Sequence, residues 1–309
     1  MPRKKKLTAE NILPLNINGL QGRMLRIPAK KKTRREILLI YGHHAALERW
    51  QGLAENLAQY GNVTMPDLPG FGGMESYYKI GIKPDIDAFA DYLAAFVKLR
   101  YKNKRVTIYA ISYGFVIVTR MLQRYPQIAK KVDLLISFAG FMHTDDIQYK
   151  RNMRRLFAVV ARILATSPVV FLIRHIGYNK SVLRKLYKTF PKSKRRLAEI
   201  TPEEFALSID FEVFLWRNND ARTHWRTTSE FLKLNNLRSP IYLPVVHVVS
   251  KHDHYLDNIS VERHMRQVFS AYSQFSVPTK AHVPSVIAGK KEMTVMIPKG
   301  LRNLLSKKL

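Results

Sequence analysis

Ser112 is the residue in this 309-residue chain whose setting points most directly to chemistry. It stands in Val106-Thr107-Ile108-Tyr109-Ala110-Ile111-Ser112-Tyr113-Gly114, at the junction of a buried-strand pattern and a helical one. A serine on so sharp a turn needs small neighbours, here Ala110 and Gly114, and its hydroxyl points out over the carboxyl edge of a sheet. The helix that follows offers backbone N–H groups to a developing oxyanion, so the chemistry would be nucleophilic attack on a carbonyl. A serine between strand and helix can also be an ordinary helix cap. His43, His44, His252 and His254 are closely spaced, but adjacent strand residues face opposite ways, and His-x-His alone is weak evidence for a metal; none is expected. Gly70-Phe71-Gly72-Gly73 is followed by no Lys-Ser or Lys-Thr and opens no helical pattern, so a turn is expected there rather than a phosphate loop.

The elements that must position Ser112 are legible as alternating patterns. Glu36 to Tyr41 is a continuous apolar run ending at Gly42, the pattern of a central parallel strand buried on both faces. Leu47 to Tyr60 has Trp50, Leu53, Leu57 and Tyr60 at helical spacing, with Gly61 as a C-terminal cap. Strands follow at 62–65, 106–111 and 132–139, and helices at 86–99 and 113–125, with a turn-rich loop at 67–73. Strand and helix in this alternation predict an open, mostly parallel sheet with helices on both faces. From about Thr144 to Leu237 only helical patterns occur, which predicts an inserted helical cap. The strand pattern resumes at 243–250; a helix is expected at 262–272, a last strand at 274–277 and a basic helix or tail from Leu301 to Leu309. The expected division is a basic tail with the first strands at 1–35, a core at 36–143 and 238–309, and the cap at 144–237.

These motifs together resemble the α/β-hydrolase superfamily over roughly residues 36 to 290. Leu38-Leu39-Ile40-Tyr41-Gly42-His43 looks like the family's strand ending in His-Gly-x, with Tyr41 where the family has histidine. Asp67-Leu68-Pro69-Gly70-Phe71-Gly72 is similar to its Asp-x-Pro-Gly-x-Gly loop. Ala110-Ile111-Ser112-Tyr113-Gly114 resembles its Gly-x-Ser-x-Gly elbow, with alanine in place of the first glycine. Val246 to Asp253 resembles the strand and loop that present the acid, and Ala281-His282-Val283-Pro284 the late histidine loop. The resemblance implies a triad of Ser112 as nucleophile, His282 as base and Asp253 as the acid that orients it, with Asp257 the rival for the last role. It implies an oxyanion hole from the backbone N–H groups of His43 and Tyr113. An epoxide hydrolase or dehalogenase is disfavoured, because those relatives need an aspartate where Ser112 stands. No cofactor is implied. The expected activity is hydrolysis of an ester, with thioester or amide as variants, in a small-molecule substrate.

Composition sets the remaining limits. Lys and Arg number 52 against 23 Asp and Glu, a net charge of +29, which attracts polyanions whatever the fold. Basic residues are spread over tail, cap and C-terminus, and no nucleic-acid motif occurs. There is no cysteine, which excludes disulfides, thiolate metal sites and a cysteine nucleophile and fits a cytoplasmic setting. Pro2 to Lys6 is basic but lacks a following apolar stretch, so a solvated arm is expected rather than a signal peptide. Leu156 to Ile173 is apolar at 14 of 18 positions, broken by Arg162, Thr166, Ser167 and Pro168. Two helical pieces whose apolar faces cover the site are expected there, suiting a lipophilic substrate. Between Lys150 and Ile200 stand 14 Lys or Arg and one acid, Glu199; a solvated basic face is the expectation there, with peripheral contact with anionic membrane as the competing role for the cap. The alternative to an enzyme is a non-catalytic protein of this fold holding anionic membrane or nucleic acid on its basic surface.

Overall fold

The computed structural model describes residues 11–172, 181, 182, 185, 201–251, 253–278 and 289–307. The basic arm at 1–10, the loop carrying His282, His252 and most of 173–200 lie outside the described residues.

The chain opens as a hairpin, β1 (Ile12–Ile17) and β2 (Leu20–Ile27). Asn18 and Gly19 make the two-residue turn, both at positive φ (51° and 79°), the twist that matches paired strands. Lys30-Lys31-Lys32 then lie in a loop. β3 (Glu36–Ile40) follows, then α1 (Leu47–Leu57), β4 (Asn62–Pro66), α2 (Ile86–Arg100), β5 (Val106–Ile111), α3 (Tyr113–Arg124) and β6 (Val132–Phe138). Between β6 and β7 (Ile241–Ser250) the described elements are helical: α4 (Arg151–Leu164), α5 (Ser167–Leu172), α6 (Pro202–Asn218) and α7 (Ala221–Phe231). The chain closes with α8 (Asn258–Val268), β8 (Phe269–Val277) and α9 (Lys299–Ser306).

The strands form one eight-stranded sheet in the order β1-β2-β4-β3-β5-β6-β7-β8. β2 runs antiparallel to β4, and every pairing from β4 through β8 is parallel. Every residue of β3 and β5 is buried. Since successive side chains point to opposite faces, unbroken burial means that both faces are covered, as a parallel sheet requires. Parallel pairing also brings the C-terminal ends of β3, β5 and β7 to one edge, where Gly42, Ser112 and Asp253 follow.

Two boundaries differ from the pattern reading. α1 ends at Leu57 with Ala58 as its cap, and Gly61 is not a left-handed terminator. A Cβ on Gly61 would sit 2.7 Å from the Arg35 carbonyl, so glycine there allows the close approach of two backbones. The second helix-to-strand boundary falls earlier than expected. Asp257 caps α8 through Ile259 N and Ser260 N, which starts the helix four residues before Glu262. β8 takes over directly at Phe269, because pairing with β7 from Ile241 to Ser250 outweighs the helical spacing of the segment.

His247 on β7 faces Ser137 on β6 in register, with Nδ1 2.9 Å from Ser137 Oγ, and both are buried. Burial pushes the His247 imidazole down to about 3, so the folded chain excludes a proton that the unfolded chain takes up. The stability it contributes is complete above the unfolded value of 6.5 and is lost as pH falls toward 3. The expected slope is about 1.4 kcal/mol per pH unit for this one group. His247→Gln should therefore flatten the loss of stability between pH 6.5 and about 4, read from urea midpoints across pH. An unchanged slope would mean that His247 is protonated in the fold.

Candidate active site

Ser112 closes β5 and opens α3 with φ 50° and ψ −120°, a conformation that costs a non-glycine residue about 1–3 kcal/mol. Its N–H donates to Phe138 O at 2.9 Å, and its carbonyl accepts from Phe115 N at 2.9 Å. Its side chain makes no capping hydrogen bond to α3. A serine acting as a helix cap would sit in the extended region with its oxygen on the N2 or N3 amide, and Ser112 does neither. Gly114 explains how the turn fits. A Cβ there would fall 2.4 Å from Tyr41 O and 2.7 Å from Ile40 O, so the first turn of α3 lies directly on the end of β3. Ala110 is buried between Ile40 and Ser137 in the sheet register.

The end of β3 is held by a buried polar node. Tyr41 Oη donates to Asp67 Oδ1 and accepts from Leu68 N, both at 2.8 Å. Asp67 Oδ2 accepts from Arg23 Nε at 2.7 Å and Gly73 N at 2.8 Å, and Arg23 also grips Glu48. Burial raises the Asp67 carboxyl to about 6, against the pull of Arg23, which leaves it ionised at neutral pH. Gly72 is at φ 62°, where a Cβ would collide with the Asp67 carboxylate at 2.1 Å. The far side of the same loop seats α7: Gly70 O accepts from Asp220 N at 2.8 Å, and Gly72 N donates to Asn219 Oδ1 at 2.7 Å.

His43 and His44 meet residues from the helices between β6 and β7. His43 Nε2 lies 2.8 Å from Thr227 Oγ1 and 3.2 Å from the His224 carbonyl. His44, at φ 51°, accepts from Asn219 Nδ2 at 3.1 Å. The His224 ring packs against both, at 4.5 Å between centroids. Burial and the neighbouring imidazole of His44 push His43 down to about 3 and His224 well below its ordinary value, so both are neutral at pH 7. No group of three metal-ligating side chains occurs among the described residues. A cavity of about 80 Å3 lies against Ser112, with Gly42, His43, Trp50, Ile111 and Arg49 in its wall.

Asp253 stands three residues past the end of β7 and is 7% exposed. Its Oδ1 accepts from Tyr255 N at 2.8 Å and Leu256 N at 3.1 Å, which fixes the carboxylate on its loop. Asp257 is exposed and occupied as the cap of α8. His254 is exposed on the same loop. His282 lies outside the described residues; the structure brings together Ser112, Gly42, His43 and Tyr113 and places Asp253 after β7 at the same sheet edge, two strands along from β5. His224, Thr227 and Asn219 at His43 and His44 are not legible in the sequence, because contacts across some 180 residues leave no local pattern. Nor did it mark Asp146, a buried carboxylate that accepts from His264 Nδ1 at 2.5 Å, Ser260 Oγ at 3.0 Å and the Met142 and His143 amides.

Residues 31–277 match the model of the serine aminopeptidase S33 family of hydrolases. The chain belongs to that family. It is a hydrolytic enzyme with the α/β-hydrolase fold, and the match runs from the loop before β3 to the end of β8. Solved structures agree on the fold. The enol-lactonase of Burkholderia xenovorans LB400 superposes with a TM-score of 0.66 at 13% identity, over 96% of this chain and 100% of that one. A thermophilic esterase from Thermogutta terrifontis gives 0.64 at 14% identity, over 96% and 99%. The Bacillus megaterium epoxide hydrolase gives 0.64 at 16% identity, over 96% and 100%. No protein of curated function matches the sequence.

Gly42, which faces Ser112, and Gly114, which faces the end of β3, should behave differently in this S33 hydrolase when given a methyl group. Gly114→Ala drives a Cβ into two backbone carbonyls and should cost about 1–3 kcal/mol of stability, seen as a lower urea midpoint. Gly42→Ala meets Ser112 Cβ at 3.2 Å, Ile111 O at 3.3 Å and Ser112 Oγ at 3.7 Å, milder approaches than those at Gly114, so it should cost little stability while the serine becomes crowded. Slower labelling of Ser112 with a near-wild-type midpoint is the expected result for Gly42→Ala. Equal stability losses in the two variants would contradict this assignment of their roles.

Proposed function

We propose that this S33-family protein is a serine hydrolase acting on an ester of a small molecule, with thioester or amide as variants of the same chemistry. The observation that carries the proposal is the backbone of Ser112: φ 50° and ψ −120°, with its side chain withheld from capping α3. Strain of this kind persists only where surrounding structure enforces it, and here it aims a hydroxyl at the sheet edge beside a cavity. Ser112 Oγ attacks the carbonyl carbon as His282 takes its proton, because a serine hydroxyl is a poor nucleophile without a base. The oxyanion is held by the backbone N–H groups of Tyr113 and His43. Tyr113 begins α3, where the first amides lack partners within the helix. Asp253 orients His282; its rigid carboxylate, and the helix-capping role of Asp257, favour it over its rival. The tetrahedral intermediate collapses, His282 returns the proton to the leaving alcohol, and an acyl-enzyme remains. Water, deprotonated by His282, then attacks the acyl carbon and releases the acid and free Ser112.

In the same proposal the helices from Arg151 to Phe231 are a cap, and α7 is its part nearest the site. Support comes from the hydrogen bonds of Gly70 and Gly72 to Asp220 and Asn219, and from the packing of Phe231 on His43 at 5.3 Å. Such a cap sets which acyl and alcohol groups reach Ser112.

Intact-mass analysis after treatment with a fluorophosphonate probe tests the nucleophile. One adduct on wild type and none on Ser112→Ala is expected, and ester turnover by Ser112→Ala should fall by roughly four to six orders of magnitude. Absence of an adduct on folded wild type, or retained turnover in the variant, would replace the enzyme with a non-catalytic binding protein on this scaffold.

A further inference from the structure

α4 is built the wrong way round for a helix that only covers a site. Its buried side chains are Arg154, Ala158 and Ala161. These small residues let α7 approach closely enough for Ser229 Oγ to donate to Ala158 O at 2.8 Å. The large apolar side chains point outward: Met153 is 42% exposed, Leu156 53%, Val159 53%, Val160 41% and Ile163 55%. They recur at the three- and four-residue spacing of one helix face. α5 continues the ridge with Phe171 at 64% and Leu172 at 58% exposed. The expectation that these apolar faces turn inward over the site is therefore not met.

The exposed charge carried by α4 itself is of one sign, while its buried Arg154 pairs with Asp145. Arg151, Arg155 and Arg162 are exposed on α4, which contains no acid. The adjoining sequence from Ile173 to Ile200 carries nine Lys or Arg and a single acid, Glu199. A second copy of the chain is a poor occupant for such a face, since each copy brings a net +29. An apolar ridge with arginines along its flank matches an anionic bilayer surface, where the side chains enter the acyl boundary and the guanidinium groups meet headgroup phosphates and carboxylates.

We propose that the outward face of α4, together with Phe171 and Leu172 of α5, inserts into the surface of an anionic lipid bilayer. No helix among the described residues is long and apolar enough to cross a membrane, so the contact is peripheral. The proposal stands independently of the serine-hydrolase reading.

Co-sedimentation with phosphatidylcholine vesicles containing about a third phosphatidylserine, against pure phosphatidylcholine, tests it. Three proteins are compared: wild type, the face variant Val159→Glu with Ile163→Glu, and the control variant Tyr242→Glu with Ile259→Glu. The control makes the same change of charge at two apolar side chains elsewhere, 87% and 83% exposed. Wild type and control should bind the anionic vesicles alike, and the face variant about tenfold more weakly. Equal binding by all three, or equal weakening of both variants, would reduce the effect to net charge and overturn the proposal. The absence of cysteine allows a single reporter: Ile163→Cys, carrying an environment-sensitive fluorophore, should shift to the blue when anionic vesicles are added. Emission already blue without vesicles, in a species that sediments as a monomer, would mean that the chain covers its own ridge. The same emission in a dimer would assign the ridge to a second copy. Either result overturns the proposal.

Discussion

Ser112 holds a positive φ only because three strands and a helix leave it no alternative. Its N–H is tied to the end of β6, its carbonyl starts α3, and Gly114 lies against the last carbonyls of β3. Parallel pairing of β3, β5 and β6 brings those three ends to one edge, so the strain at Ser112 follows from the sheet order. The strain is small against the burial that supports it: β3 and β5 are enclosed along their whole length, with both faces covered. Each fully buried leucine, isoleucine or valine contributes roughly 1.5–3 kcal/mol, so one strained residue is readily offset.

The same edge needs a second anchor, because the loop after β4 carries the helices that follow β6. Asp67 supplies it. An ionised carboxylate with no exposure is tolerable only if paired and fully hydrogen-bonded, and Asp67 takes Arg23, Tyr41 and the Gly73 amide. This gives a physical account of Tyr41 where relatives of this fold carry histidine: the phenol reaches both Asp67 and the Leu68 amide from the end of β3. Arg23 in turn ties in β2 and, through Glu48, the first turn of α1. The N-terminal hairpin is thereby coupled to the loop on which α7 rests.

What the sequence made legible was local. Apolar runs located β3 and β5 because strands buried on both faces leave an unbroken signal, and the elbow showed itself through its small flanking residues. The two misplaced boundaries were lost for opposite reasons. Gly61 reads in sequence as a helix terminator, whereas in the fold it leaves room for Arg35, a contact across more than twenty residues. The stretch from Phe269 to Tyr272 keeps helical spacing in sequence and is strand in the fold because β7 pairs with it, across a register shift, and then continuously from Ala271 to Val277. The histidine cluster around His43 has no local pattern for a third reason: its members come from the loop after β3, from α7 and from the segment that joins α6 to α7. Asp253 was legible only as a carboxylate at a fixed distance past a strand, whereas Asp146 joins the local Met142 and His143 amides to Ser260 and His264 on α8, a contact across more than a hundred residues.

α4 shows most plainly that composition does not fix orientation. The count of apolar residues predicted a covering helix, yet what decides which face packs is steric. Ala158 and Ala161 allow backbone-level contact with α7, which leucine or valine would hold apart. Close approach gains dispersion over many atoms and leaves the large side chains outside. An exposed ridge of that kind would ordinarily drive association. In a chain of net charge +29, mutual repulsion opposes self-association, and it does so without weakening attraction to a surface of opposite sign. The excess positive charge thus acquires a physical consequence at α4, whose large apolar side chains stand exposed.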